Sequence, residues 1–502
     1  MKNGNGKKIL RDPRQTIGLF LGPIIFIILL VFPIHGISSA AARLAAILGF
    51  TIVYWICEPI PLPVTALLAP VLCVILGIGE PKTILASFGD PVVFLFLGSF
   101  LLAQAMIVHQ LDRRIALSIL GLEWVGKNTR RVLFVFGAMT AFISMWLSNT
   151  ATTAMLLPIG LGILGEIATL AQNQTRTPTV LSQLNMSSGL MLMTAYAASI
   201  GGIGTPIGTP PNLIGIGMID KLIGIHITFF DWMKFAVPTL ILMYFVLYWL
   251  ILKLNPPEFG ALPQLSSYLR KRKEDLGPWT RGQINVLIAF LIAVALWVLP
   301  GVLGLIYGGD APITKGYQKI LPEGIIAVIA ASLLFFLPVE WKTRRVTLSW
   351  EEAVKIDWGT ILLFGGGIAL GSLIFSTGLA DALGNLLLNL TGIRSYWGIA
   401  VMSIAMGILL SETTSNTASA NVVIPLAISM ARSAGVDPLI PALGACLGAS
   451  YGFMLPVSTP PNAIVYGSGL VPITKMVKTG IIFDIIGLFL IWAGLWVATW
   501  IF

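Results

Sequence analysis

Ser144-Met145-Trp146-Leu147-Ser148-Asn149-Thr150-Ala151 and Ser411-Glu412-Thr413-Thr414-Ser415-Asn416-Thr417-Ala418 are two versions of one phrase. Each ends in Ser-Asn-Thr-Ala, and each reaches a proline, Pro158 or Pro425, ten residues after its motif serine. The flanks are apolar, Met155-Leu156-Leu157 after the first and Val422-Val423-Ile424 after the second. Hydroxyls and a carboxamide donate and accept hydrogen bonds without carrying charge. Groups of this kind in hydrocarbon-facing sequence need partners. A single Ser or Thr usually finds one in its own backbone.

Two copies point instead to a duplicated functional element, and a second pair of matches supports it. Gly208-Thr209-Pro210-Pro211-Asn212 follows the first copy and Ser458-Thr459-Pro460-Pro461-Asn462 the second. Consecutive prolines lack the N–H and clash with the preceding turn, so each segment predicts a broken helix. Each half of the chain thus offers one Ser-Asn-Thr tip and one break.

Of the 502 residues, 56% are hydrophobic and 11% charged, which assigns the chain to integral membrane proteins. The net charge of +9 falls in loops between apolar runs and therefore reports membrane topology, not nucleic-acid binding. Cys57, Cys73 and Cys446 sit in or beside apolar runs without metal-ligand spacing and read as packing residues. The basic start (Lys2, Lys7, Lys8, Arg11, Arg14) precedes an apolar run with no small-residue cleavage site, so it begins a first span rather than a signal peptide.

Runs near 17–35, 40–56, 62–79, 86–111, 184–219, 232–253, 282–299, 322–338, 357–390, 438–468 and 479–500 predict an all-α polytopic protein of eleven crossings, at roughly 20 residues each. The runs 131–165 and 397–431 hold the motifs near their middles and read as re-entrant hairpins, with the irregular tip lining a cavity. With the N-terminus inside, this count places Arg113, Arg114, Lys127, Arg130, Arg131, Arg270 to Lys273, Arg281, Lys342, Arg344, Arg345, Lys355, Lys475 and Lys478 inside. The outside receives Lys82, Lys221, Lys234, Lys315, Lys319, Arg394 and Arg432, and the C-terminus. The expected organisation is a segment 1–36 with the first span, a first repeat 37–253 (hairpin 131–165, broken helix 184–219), a cytoplasmic connector 254–281, and an inverted second repeat 282–502 (hairpin 397–431, broken helix 438–468). Phe96-Leu97-Gly98-Ser99-Phe100 and Phe364-Gly365-Gly366-Gly367-Ile368 extend the equivalence.

The chemistry available is that of binding. No acid pair, His/Cys cluster or Ser/His/Asp set lies in the apolar region, His35, His109 and His226 are scattered, and Gly201-Gly202-Ile203-Gly204 lacks the Gly-Lys-Ser/Thr of a P-loop. Helix N-termini receive anions. Carbonyls beside broken helices, with hydroxyl and amide oxygens, suit a small cation such as sodium. A symmetric pair of tips fits a molecule with two negative ends, one at Asn149-Thr150 and the other at Asn416-Thr417. No Lys or Arg stands in either motif, so dipoles and bound cations must offset the anion's charge. Glu58 reads as a cap at a loop. Glu412, three residues before Ser415, either orders the hairpin or balances a cation.

Together these motifs resemble the divalent anion/sodium symporters, most closely their bacterial sodium–dicarboxylate branch, over essentially the whole chain. The resemblance implies a homodimer whose protomers each combine a scaffold with a mobile, elevator-like transport domain. It implies substrate at Asn149, Thr150, Asn416 and Thr417 and at the backbone around Thr209, Pro210, Thr459 and Pro460. It places one sodium by Ser144, Ser148, Asn149 and Gly208 and a second by Ser411, Thr414, Asn416 and Ser458, as coupling ions with no organic cofactor. The expected function is sodium-coupled symport of C4-dicarboxylates such as succinate, malate or fumarate by a multi-pass protein of the cytoplasmic membrane, its partners being substrate, lipid and a second copy, with no nucleic acid. Sodium-independent dicarboxylate exchange and a passive anion channel remain as alternatives.

Overall fold

Long Leu, Ile, Val and Ala runs form helices in a membrane because no water is there to bond the backbone and a helix closes every hydrogen bond within its own segment. In the computed structural model, which describes residues 13–34, 36–175, 181–258, 260 and 263–502, ten helices are long and apolar enough to cross a membrane. The pair Pro312–Ile320 and Glu323–Phe336, bent by 53°, adds an eleventh candidate. Lys2, Lys7, Lys8, Arg11 and His35 lie outside the described residues.

The membership of this set differs from the sequence expectation. Leu62–Ile75 has 14 residues, short of a full span of about 20. Asn149–Thr169 and Tyr396–Thr413, which overlap the two hairpin runs, are themselves long and apolar enough to span. The run 357–390 is not one helix: Trp358–Ser376 ends and Leu379–Thr391 begins at Gly378, whose φ of 79° is a left-handed turn that glycine adopts without strain. A two-stranded ribbon, Pro338–Glu340 with Arg345–Val346, lies in a segment read as loop.

The hairpins and breaks form where the motifs place them. Thr129–Ser144 and Asn149–Thr175 are the arms of the first hairpin, and Tyr396–Thr413 and Asn416–Ser433 those of the second. Each pair of arms packs on itself and on the helix that follows, Asn185–Ile203 or Leu439–Gly448. Beyond the breaks run Pro210–Ile223 and Pro460–Gly467. Asn185–Ile203 is the centre of the core, buried at every position from Met186 to Ile203. The connector contains a helix, Pro263–Glu274, whose end is tied to the bundle by Arg114, donating to the carbonyls of Leu276 (2.8 Å), Gly277 (3.1 Å) and Pro278 (2.9 Å).

Reciprocal packing joins the halves. Gly98 of Pro91–Val108 approaches the Ala327 backbone of Glu323–Phe336 so closely that a Cβ there would lie 2.4 Å away. Gly366 of Trp358–Ser376 approaches the Ala66 carbonyl of Leu62–Ile75 equally closely, at 2.3 Å. The rings of Phe96 and Phe364, equivalent in the two repeated phrases, meet with centroids 5.0 Å apart.

Smaller expectations hold. Glu58 caps Ser39–Cys57 from a left-handed conformation, its N–H donating to the Tyr54 carbonyl. Cys73 and Cys446 are buried free thiols, and Cys446 Sγ lies 3.1 Å from the Pro211 carbonyl. His109 is 2.6 Å from the Thr347 carbonyl, and His226 sits between Asp220 and Glu323, so both serve at helix ends.

Candidate functional site

Each hairpin tip is a capped helix start. Ser148 and Ser415 accept from the N–H of the residue three ahead, Ala151 (3.3 Å) and Ala418 (3.2 Å), which makes them N-caps. Asn149 and Asn416 are then the first helical residues, and their Oδ1 atoms each accept from a serine five positions back, Ser144 and Ser411, both at 2.8 Å. Both serines are fully buried. First-turn N–H groups of Asn149, Thr150, Asn416 and Thr417 have no upstream carbonyl to receive them. Thr150 is exposed and Thr417 half-buried, so hydroxyl and N–H groups face accessible space with the positive end of a helix dipole behind them.

The breaks are built differently. Thr209 and Thr459 are extended, with φ/ψ of −147°/144° and −141°/148°, and each precedes two prolines at the helix start. Proline at the first two positions removes the donors that an anion would use. Of the four helix starts, the hairpin tips therefore supply anion donors, and the breaks supply carbonyls. These carbonyls are held by one asparagine per break. Asn212 Nδ2 donates to Gly202 O and Thr205 O, both at 2.8 Å. Asn462 Nδ2 donates to Gly452 O (3.2 Å) and Leu455 O (3.0 Å), the same ten- and seven-residue offsets. Non-helical backbone at this depth is thus internally satisfied.

Within the first half, tip and break touch. A Cβ on Gly202 would lie 2.4 Å from Asn149 Oδ1, and one on Gly208 would lie 2.5 Å from Gly202 O and 2.9 Å from Met145 O. In the second half a Cβ on Gly452 would lie 2.9 Å from Ser411 Oγ and 3.0 Å from Ser411 O. Small residues let oxygens crowd around each tip. This is the donor set a sodium ion takes, neutral hydroxyl, carboxamide and carbonyl oxygens beside a broken helix, so the residues present fit the ion. The buried Oδ1 atoms of Asn212 and Asn462 have no hydrogen-bond partner among the described residues.

Helix packing crosses the halves: the arm Asn149–Thr175 lies on Pro460–Gly467, and Asn416–Ser433 lies on Pro210–Ile223. The structure therefore groups Ser144, Ser148, Asn149 and Gly208, and Ser411, Asn416 and Ser458, each around its own tip and break. It shows no hydrogen bond between the two tips among the described residues. Thr414 turns elsewhere, donating to the Trp55 carbonyl at 3.0 Å.

Glu412 orders the second break. Its carboxylate accepts from the N–H of Phe453, from the Met454 N–H at 2.9 Å and from Ser458 Oγ, which also reaches the Glu412 carbonyl at 3.1 Å. Asp484, on the last helix Ile473–Ala498, sets a second buried carboxyl against it. Arg14 brings a guanidinium to the second tip, 3.0 Å from the Thr413 carbonyl, a basic group from 399 residues away that the motif itself does not contain. Asn212 and Asn462 belong to the Thr-Pro-Pro-Asn motifs without a role assigned from sequence, and Gly202 and Gly452 are site residues that motif reading does not single out. Aligning the repeats on their prolines, 250 positions apart, would have paired them.

A family model described as the sodium:sulfate symporter transmembrane region matches residues 14–502. The sodium-dependent dicarboxylate transporter SdcS of Staphylococcus saprophyticus is 35% identical over 470 residues, 93% of this chain and 88% of that protein. SdcS of Staphylococcus aureus strain USA300 is 34% identical over 473 residues with the same coverage. Among solved structures, MtrF of Neisseria gonorrhoeae, described with a class of antimetabolite efflux pumps, superposes with a TM-score of 0.54 at 12% identity, covering 97% of this chain and 95% of its own. The YdaH transporter of Alcanivorax borkumensis, described as having an unusual topology, gives 0.53 at 12% identity over 98% of both chains. At that identity the two structures speak to the fold alone.

Proposed function

The chain belongs to the sodium:sulfate symporter family, and from that premise we propose that it couples sodium entry to uptake of C4-dicarboxylates, succinate, malate or fumarate, across the cytoplasmic membrane. It is a transporter and not an enzyme, and sodium is its coupling ion. The observation that carries the substrate class is the pair of matched tips, each offering free N–H groups and a threonine hydroxyl without a basic side chain in the motif. One carboxylate meets Asn149 and Thr150 and the other Asn416 and Thr417, with the backbone at Thr209, Pro210, Thr459 and Pro460 closing the sides. One sodium takes Ser144, Ser148, Asn149 and Gly208, and a second takes Ser411, Asn416 and Ser458 with Thr414 beside it. Unpaired charge is costly in a low-dielectric site, and bound sodium is what lets a dianion rest there.

The halves 37–253 and 282–502 are inverted repeats, and their reciprocal packing at Gly98 and Gly366 supports that reading. The working unit is a homodimer with a scaffold and an elevator-like transport domain that alternates access. The N-terminus is cytoplasmic and the C-terminus outside. A cysteine at Arg270 is then labelled only from the cytoplasm and one at Arg394 only from outside; labelling of Arg394 from the cytoplasm contradicts the inversion.

The test of function is uptake of labelled succinate by proteoliposomes under an inward sodium gradient, with malate, fumarate, citrate and sulfate as competitors. Accumulation against a gradient, driven by sodium, is expected, since each tenfold sodium ratio contributes about 1.4 kcal/mol per ion. Full uptake without sodium into dicarboxylate-loaded vesicles establishes exchange instead. Conductance without counterflow of label establishes a channel.

A further inference from the structure

The connector helix Pro263–Glu274 and the short helix Leu111–Leu120 line two adjoining open cavities that the transport reading leaves unused, one of about 290 Å³ also bounded by the second arm of the first hairpin and one of about 380 Å³ also bounded by Gln283 at the start of Arg281–Tyr307. Arg113 and Arg272 line both. Neither guanidinium forms an ion pair among the described residues: Arg113 donates to Gln110 Oε1 at 3.3 Å, and Arg272 to the Tyr268 hydroxyl at 3.2 Å while stacking over its ring. Both side chains are exposed.

The smaller cavity continues from these arginines onto an apolar wall of Leu117, Met155, Pro158 and Leu269. Two half-exposed tryptophans, Trp124 and Trp279, stand beside the same helices. Tryptophan at such positions marks the headgroup level of a bilayer.

We propose that this pair of cavities is a binding site for an anionic phospholipid, its phosphate held between Arg113 and Arg272 and its glycerol and first acyl carbons laid on the apolar wall. Arginine's planar fork suits phosphate oxygens, and basic pockets between membrane helices take charged lipid headgroups. A free dicarboxylate fits the place less well. It has no apolar part to cover the wall, and its second charge would face Asp275, which lines the larger cavity. The lipid would lie between the connector and Met155 and Pro158, on the arm that starts at Asn149, so it would bridge the two halves' connector to the substrate hairpin.

The test uses the full chain purified from membranes and reconstituted in phosphatidylcholine nanodiscs with and without phosphatidylglycerol, then delipidated stepwise and counted by native mass spectrometry. Phosphatidylglycerol is expected to be retained over phosphatidylcholine, and Arg113→Gln, Arg272→Gln and their combination are expected to lower that retention several-fold. Lys271→Gln, a neighbouring basic position outside both cavities, is expected to retain it as the parent does. Because both arginine side chains are exposed, the single substitutions leave the fold intact, which sodium-driven uptake verifies. Equal retention by the combined variant and the parent, equal retention of the two lipids, or displacement of phosphatidylglycerol by succinate each overturns the proposal.

Discussion

The first break is braced by neutral groups and the second by a carboxylate. In the first, the Thr205 hydroxyl donates to the Met145 carbonyl. In the second, Ser411 is followed by Glu412 where Ser144 is followed by Met145, and Glu412 gathers two backbone N–H groups and the Ser458 hydroxyl. The hydroxyl that ties break to tip has also moved, from Thr205 to Ser458, three places along the repeat. The backbone plan is thus duplicated while its fastening is not. Among the described residues, the buried carboxyl of Asp484 and the Arg14 guanidinium stand by the second tip, with no counterpart named at the first. The difference teaches that equivalence of the two tips for substrate does not require equivalence of what holds them.

Glu412→Ala should have the largest effect. It strands the Phe453 and Met454 N–H groups at a cost of about 1–3 kcal/mol each, while Ser458 keeps the Glu412 main-chain carbonyl. Sodium-dependent uptake is expected to be lost and thermal stability in detergent to fall markedly. Thr205→Val in the first half removes one hydroxyl and should cost only about 1 kcal/mol. Equal losses from the two variants, in the same melting experiment, would erase the contrast between neutral and charged bracing.

Next come the asparagines, where the halves agree. Asn212→Ala and Asn462→Ala each leave one buried carbonyl, Gly202 O or Gly452 O, without a donor, at about 1–3 kcal/mol, while Thr205 O and Leu455 O keep the N–H groups of Gly208 (3.3 Å) and Ser458 (3.2 Å). The bonds at 2.8 Å in the first break against 3.0 and 3.2 Å in the second make Asn212 the costlier loss by a modest margin. Melting temperatures of the two variants in one lipid mixture measure this. A large loss at one and none at the other contradicts the shared design.

What could be read in advance follows from locality. The hairpins, the breaks and the membrane class were legible because Ser-Asn-Thr-Ala and Thr-Pro-Pro-Asn act on their own backbone within a few residues. The division of 357–390 at Gly378 was hidden because one glycine in an apolar run is compatible with a continuous helix until its φ is seen. Leu62–Ile75 was overlong in the reading because Leu76-Gly77-Ile78 keeps the run apolar past the helix end. Arg14 at the second tip and the cross-packing of Gly98 and Gly366 depend on pairs hundreds of residues apart, for which a single sequence carries no signal. Glu412 was noticed but its role was open, since its donors come from Phe453, Met454 and Ser458 in another element.

At the tips substrate and sodium can be separated, and the smallest effects are expected at the two sodium-side serines. Thr150→Val and Thr417→Val each keep shape and remove one hydroxyl to a carboxylate. The expected loss in substrate affinity is roughly 1.5–3 kcal/mol at either tip, with sodium dependence little changed. If one variant abolishes binding and the other leaves it intact, the two tips do not hold opposite ends of one substrate. Ser144→Ala and Ser411→Ala remove a neutral bond of 2.8 Å to an asparagine oxygen, a net of about 0.5–1.5 kcal/mol. That corresponds to a rise of roughly two- to tenfold in the sodium concentration for half-maximal uptake. The two serines should not be equal. Ser411 stands beside Glu412, whose charge attracts a cation whether or not the hydroxyl is present, whereas Ser144 is followed by Met145 and its site has only neutral oxygens. Ser144→Ala should therefore raise the sodium requirement more than Ser411→Ala. The reverse order would mean that the Glu412 charge is spent on Phe453, Met454 and Ser458 and contributes nothing to the ion.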